Sequence, residues 1–237
     1  MAPALQSFPA QNYLLAALPR HEYELLAPRL ETVHFPKGKV LFEPNDPVRY
    51  AYFPHAGIVS LLSFTMEGET MEVAMVGREG VIGIPVILRA DRMPYRVVAQ
   101  LPADAAALKA EVLRDVFDRG GRFQHLLLSY TQTLLTQVAQ SALCNRFHTV
   151  EERLCRWLRV ARDRTESSAF DVTHEFLSQM IGAPRTGVSV AAGALQRARI
   201  IRYSRGRMTI LDWRGVELRS CECYEVIKED LDRFLAA

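Results

Sequence analysis

The stretch VTHEFLSQMIGAPRTGVSVAAGAL, Val172 to Leu195, holds side chains whose types and spacing offer chemistry. Thr173, His174, Arg185, Thr186 and Ser189 supply hydroxyls, an imidazole and a guanidinium, with the small apolar side chain of Val190 beside them. An enzyme needs a nucleophile with its base, paired carboxylates or a metal cluster, and the sequence shows no constellation of that kind. What the stretch offers is a set of hydrogen-bonding groups and one arginine fork, which suit phosphate oxygens and base edges.

The elements that position these groups are legible around them. Thr173 is a natural N-cap, and Glu175 begins a short helix that ends near Met180 and Ile181. Gly182 supplies the turn. A second helix is expected from Ala183, with Pro184 in its first turn, where a missing N–H is harmless. Beyond Leu195, ARIIRYSRGRMTILDW holds two strand-like runs around Ser204 to Gly206, a hairpin or wing carrying Arg205 and Arg207. A winged helix-turn-helix puts its second helix in the major groove of DNA, with the wing and the first helix's N-terminus on phosphates.

Charge points the same way once the chain is divided. The net charge is only +2, but residues 1–145 carry 13 Lys/Arg against 14 Asp/Glu and residues 146–207 carry 12 Arg against 6 acids. The last thirty residues have 4 basic against 7 acidic side chains. Every basic residue of the positive segment is Arg, the side chain suited to forked contacts with phosphate or guanine. The competing account is a solvated helix face with local ion pairs, such as Glu152 with Arg156.

At 237 residues, 49% hydrophobic and 24% charged, the chain has the size and composition of two modest domains. No apolar run approaches the ~18 to 20 residues of a membrane span, and YLLAALP near the N-terminus lacks the basic flank of a signal peptide. A cytoplasmic protein without a membrane partner is expected. The four cysteines are too few and too unevenly spaced for a disulfide framework and are expected as thiols. Cys144 and His148 are four apart, with Cys155 nearby, yet a buried cysteine beside a surface histidine is the plainer reading. Cys221 and Cys223 are oddly spaced for one metal. No metal and no cofactor are expected.

From Glu31 to about Leu108 short apolar runs alternate with turn formers. The strand candidates are Thr32–Phe35, Val40–Phe42, Tyr50–Pro54, Gly57–Phe64, Thr70–Val76 and Tyr95–Leu101, an antiparallel roll or barrel. The period then turns helical: Ala110–Asp118, Phe123–Arg146, and a helix from Thr149 to about Arg162. Phe123, Leu127, Tyr130, Leu134 and Val138 form a stripe on the longest helix, expected to pair two copies. Leu126, Leu128, Leu135 and Leu143 lie outside that stripe, so the helix needs a second partner: another copy of itself or another part of the chain.

The order of roll, long helix, EERLCRWLRVARD, VTHEFLSQMIGAPRTGVSVAAGAL and RYSRGRMTILD resembles the bacterial cyclic-AMP receptor protein and fumarate-nitrate regulator (Crp/Fnr) family. The resemblance runs from about Leu14 to Trp213. It implies an α+β chain with a sensory β-roll over 1–121, a dimerisation helix over 122–146 and a winged helix-turn-helix over 147–237. It further implies a homodimer on a palindromic duplex, touching RNA polymerase if it activates. Where cyclic-AMP-responsive members have Arg-Glu and a later Arg, this chain has Arg185, Thr186 and Val190, so a different half-site is expected. Their nucleotide site uses a Gly-Glu pair and an Arg-Ser or Arg-Thr pair; here Gly83 is followed by Ile84, and Arg92 and Arg96 stand out of register beside Met93 and Pro94. Val138 and Ala139 replace the hydroxyls that meet the base. The resemblance therefore implies an effector other than cyclic AMP, with Gly83, Ile84, Arg92, Arg96 and Val138 as the lining to test. The alternative is a ligand-binding or scaffold protein that does not touch DNA.

Overall fold

The computed structural model describes residues 12–236; residues 1–11 and Ala237, at the ends of the expected first and last domains, lie outside the described residues. In chain order the elements are α1 (Tyr13–Ala16), α2 (Arg20–Leu26), β1 (Glu31–Phe35), β2 (Val40–Phe42), β3 (Tyr50–Ala56), β4 (Val59–Phe64), β5 (Thr70–Val76), β6 (Arg96–Ala99) and β7 (Ala103–Lys109). Then follow α3 (Ala110–Asp118), α4 (Gly121–Phe147), α5 (Val150–Thr165), β8 (Ala169–Asp171), α6 (His174–Ile181) and α7 (Arg185–Arg197). The last elements are β9 (Ile201–Ser204), β10 (Arg207–Ile210), α8 (Trp213–Leu218) and α9 (Cys223–Ala236). Among the described residues they form two compact units, residues 12–61 with Met75–Gln132 and residues 234–236, and Leu62–Ala74 with Thr133–Arg233.

The first unit is built on the β-roll. Its strands pair as β1-β7-β3, with β7 antiparallel to both neighbours, and as β2-β6. Phe53, Ile58, Val86, Val97 and Leu108 are fully enclosed between them. Strand β7 was not among the expected strands, because ADAAALK has no β-branched or aromatic residue and PADA reads as a turn. Its place in the middle of a sheet overrides that weak propensity: Ala103, Ala105, Ala106 and Ala107 are all buried. Gly57 makes the tight entry to β4 with φ of 80°, and a Cβ there would lie 2.0 Å from the Pro102 carbonyl oxygen.

The start of α4 is fixed in this unit. The Glu22 carboxylate accepts from the backbone N–H groups of Arg122 at 2.9 Å and Phe123 at 2.7 Å, capping otherwise orphaned donors. Phe123 meets Phe53 with ring centroids 6.5 Å apart, and Tyr130 meets Phe234 at 6.0 Å. Phe123, Leu127 and Tyr130 are therefore buried against the chain's own unit, which corrects their expected place on a dimer face. One stripe of a helix can be buried only once. The large apolar side chains left outside are Leu128, Leu135, Leu143 and Phe147, at 48%, 59%, 43% and 72% exposure.

The second unit is organised around α5. Its N-terminus carries a capping box in which Thr149 and Glu152 exchange side-chain and backbone hydrogen bonds. Trp157 is fully buried, with Phe170 at 5.8 Å and Phe176 at 6.4 Å between ring centroids. Helices α6 and α7 pack on α5, and β8, β10 and β9 form a small antiparallel sheet in that order.

The arginines of α5 are not a free basic face. Arg153, Arg156 and Arg164 are buried. Arg159 lies 3.5 Å from the centre of the Tyr224 ring and pairs with Glu225 at 2.7 Å, while Arg162 covers Trp213 at 4.2 Å. The acidic C-terminal stretch thus folds back as α8 and α9 and engages part of the positive charge. The six arginines that remain exposed in the basic segment after α5 are Arg185, Arg197, Arg199, Arg202, Arg205 and Arg207.

Candidate nucleic-acid interface

Helix α6 starts as expected: Thr173 Oγ1 accepts from the Phe176 N–H at 3.0 Å, so the threonine is a cap with its remaining surface exposed. Gly182 closes the helix with φ of 57°, in the left-handed region that favours glycine. Buried Arg153 donates to the carbonyls of Ile181 and, at 2.6 Å, Gly182, so the turn between the two helices is satisfied from α5. Burial lowers the pKa of this guanidinium from its ordinary value.

Helix α7 starts at Arg185 rather than Ala183, with Pro184 as its cap residue. The proline's ψ of 142° is extended, so Ala183 and Pro184 finish the turn instead of opening the helix. Val188, Ala191, Ala192 and Leu195 form the buried stripe, and Arg185, Thr186, Ser189, Val190 and Arg197 are exposed. Their spacing of one, three and four residues puts them on one outward face. Val190 is 70% exposed, a β-branched apolar side chain held in water.

The wing is a two-residue hairpin. Arg205 and Gly206 both have positive φ, 50° and 76°, as a type I′ turn requires. Gly206 lies beside Thr173, since a Cβ on it would be 3.9 Å from Thr173 Cγ2. Tyr203 joins the wing to the two helices: its ring stacks on His174, its hydroxyl donates to the Val172 carbonyl at 3.1 Å, and its N–H donates to Gln196 Oε1 at 2.8 Å. Ser189 Oγ sits 2.8 Å from His174 Nδ1 and 3.0 Å from the Arg185 carbonyl. Burial, then the nearby Arg185 charge, lowers the His174 pKa from its ordinary value, favouring the neutral ring. Thr173, His174, Arg185, Thr186, Ser189, Val190, Arg205 and Arg207 therefore share one polar surface. Tyr203 and Gln196 were not foreseen, because nothing in their local sequence marks a strand residue as the partner of a helix residue far away.

The residues expected around an effector behave differently. Gly83, with φ of 121°, starts a short 3₁₀ turn over Ile84–Val86, and Ile84 is buried. The Arg92 guanidinium donates to the Asn45 carbonyl at 2.7 Å, Arg96 pairs with Glu43 at 2.8 Å, and Arg89 forms a fork with Asp118. Val138 lies half-buried on α4 and belongs to the second unit.

A β-roll, a long helix and a winged helix-turn-helix in this order define a DNA-binding transcription regulator. The cyclic nucleotide-binding domain matches residues 32–119 and the Crp-like helix-turn-helix domain residues 152–219. The chain belongs to the Crp/Fnr family of transcription regulators and is not an enzyme. A global nitrogen regulator of Synechocystis sp. is 25% identical over 215 residues, which is 86% of this chain and 94% of the relative. Transcriptional regulator SdrP of Thermus thermophilus is 25% identical over 197 residues, 79% of this chain and 93% of its own. Among solved structures, a putative Crp/Fnr-family transcriptional regulator from Eubacterium rectale superposes with a TM-score of 0.71 at 17% identity, covering 87% of this chain and 96% of its own. FixK2 from Bradyrhizobium japonicum follows the same fold with a TM-score of 0.69 at 14% identity, covering 81% and 98%. No helix among the described residues is long and apolar enough to cross a membrane.

Proposed function

We propose that the chain acts as a homodimer that reads a palindromic duplex with two copies of α7. The observation that carries this reading is the outward face of that helix, with Arg185, Thr186, Ser189 and Val190 exposed above a buried stripe. Arg185, at the start of α7, forks onto O6 and N7 of a guanine. Val190 meets a thymine methyl, and Thr186 and Ser189 hydrogen-bond to base or backbone. Thr173 at the start of α6, with Arg205 and Arg207 on the wing, follows the phosphates, and His174 acts behind them by holding Ser189 and Tyr203 in place.

The two copies meet along α4. Leu128, Leu135 and Ala142 recur every seven residues, with Thr131 and Val138 between them, the spacing of a coiled-coil seam. In the β-roll the guanidinium groups of Arg92 and Arg96 are already engaged by Asn45 and Glu43, which supports an effector other than cyclic AMP. Such a regulator works in the cytoplasm, and as an activator it also contacts RNA polymerase.

A salt series of binding to duplex DNA tests this reading. Affinity falls steeply as salt rises if basic side chains displace counterions from phosphates. A protein that binds no duplex even at low salt is a ligand-binding module or scaffold instead.

A further inference from the structure

Four side chains that the DNA-reading surface does not use converge inside the second unit. Cys144 lies in the last turn of α4, and His148 follows one turn later, its N–H donating to the Cys144 carbonyl at 3.1 Å. Cys221, in the turn between α8 and α9, and Cys223, the first residue of α9, come from more than seventy positions along the chain. The Sγ atoms of Cys144 and Cys221 are 3.6 Å apart, and His148 Nδ1 is 3.3 Å from Cys223 Sγ. One ligand atom from each of the four lies within 4.8 Å of every other, and the three cysteines are buried.

This set has the donors and size of a mononuclear site. With zinc–sulfur bonds of about 2.3 Å, tetrahedral geometry places the sulfurs about 3.8 Å apart. The shorter separations here are already at that scale, and the longest needs to close by about 1 Å. Three thiolates and one imidazole are soft-to-borderline ligands, the set that selects zinc among common divalent ions. All four positions come from protein, as in structural zinc sites that hold a fold together.

The surroundings match as well. His148 turns its other nitrogen, Nε2, to Glu222 Oε1 at 3.2 Å, the carboxylate–histidine arrangement that fixes a metal-bound imidazole. Gln140 Nε2 donates to Cys223 Sγ at 3.1 Å. Arg156 is buried with its Nε unpartnered, and its positive charge acts on Cys144, which suits a site that carries a net negative charge when three thiolates bind a dication. A simple disulfide would use two of the sulfurs and leave the His148–Glu222 orientation without a purpose.

We propose that Cys144, His148, Cys221 and Cys223 form a closed tetrahedral site for one zinc ion. The ion fastens the corner between α4 and α5 to the turn between α8 and α9. Because α6 and α7 pack on α5, the site steadies the base on which the DNA-reading helix is mounted.

The test uses the full-length protein, purified without chelator, with metal content by mass spectrometry and thiol state by alkylation. One zinc per chain is expected, and exchange with cobalt(II) should produce the visible bands of a tetrahedral thiolate complex. Cys144→Ser and Cys223→Ser lose the ion, whereas Cys155→Ser, at a buried cysteine outside the cluster, keeps it. Glu222→Gln alters a carboxylate that is 72% exposed, so it preserves the fold and weakens zinc binding by about 10-fold or more. Protein that stays metal-free after incubation with zinc while all four thiols alkylate overturns the proposal. So does a native Cys144–Cys221 disulfide, iron with inorganic sulfide, or zinc retained in the double variant Cys144→Ser/Cys223→Ser.

Discussion

His174 and Tyr203 lie face to face, ring centroids 4.5 Å apart and planes inclined by 16°. One residue opens the first helix of the DNA-reading pair and the other belongs to the wing, so this stack sets the wing's position relative to the helices. Offset aromatic pairs contribute about 0.5 to 1.5 kcal/mol beyond their buried area. Tyr203→Leu should therefore lower unfolding stability by about 1 kcal/mol and weaken DNA binding without changing the preferred half-site. Thermal melts and gel shifts on several duplexes check both parts.

The same histidine carries a pH signature. Burial lowers its pKa in the folded chain below the ordinary 6.5, so the unfolded chain takes up the proton first. Its contribution to stability is complete above about pH 6.5 and is lost as pH falls through the folded value. An NMR titration of the His174 ring should give a midpoint below 6.5, and His174→Asn should flatten the pH dependence of stability in that window. A midpoint at or above 6.5 contradicts the enclosed, neutral ring.

Arg185 and the wing arginines should separate in kind. Arg185→Ala is expected to relax discrimination at one base pair by about 1 to 3 kcal/mol. Arg205→Ala should weaken all sequences alike and reduce the slope of log affinity against log salt by about one. Competition binding on single-base variants of the half-site, repeated at several salt concentrations, distinguishes the two.

On α4, two leucines eight positions apart should also behave differently. Leu127 is enclosed and Leu135 is 59% exposed. Leu127→Ala should destabilise the fold by about 2 to 5 kcal/mol. Leu135→Asp should leave the fold intact and shift the protein toward monomer in sedimentation. A Leu135→Asp variant that remains dimeric places the partner surface elsewhere.

Much of this was legible from local chemistry. Thr173, Gly182 and Gly206 each occupy a backbone position that their residue type favours, so the helix-turn-helix and wing could be placed from sequence. Strand β7 could not, since its alanines are chosen by the close packing of a central strand and carry no strand propensity of their own. The stripe of Phe123, Leu127 and Tyr130 was visible, but periodicity alone does not say which stripe meets the chain's own core and which meets a partner. Counting charge located the basic segment, yet counting could not show that the α5 arginines turn inward to aromatic rings and to α8 and α9. Nor could spacing join Cys144 and His148 to Cys221 and Cys223, because only the return of the C-terminal helices brings them together.

Selection of bound duplexes from a random pool tests the central claim most directly. Two symmetric half-sites with centres about 34 Å apart, one helical turn, are expected from two α7 helices in successive major grooves. A guanine fixed in each half-site and lost with Arg185→Ala completes the prediction. Failure to enrich any sequence, or enrichment of a single asymmetric half-site, would contradict a dimeric reader built on this helix.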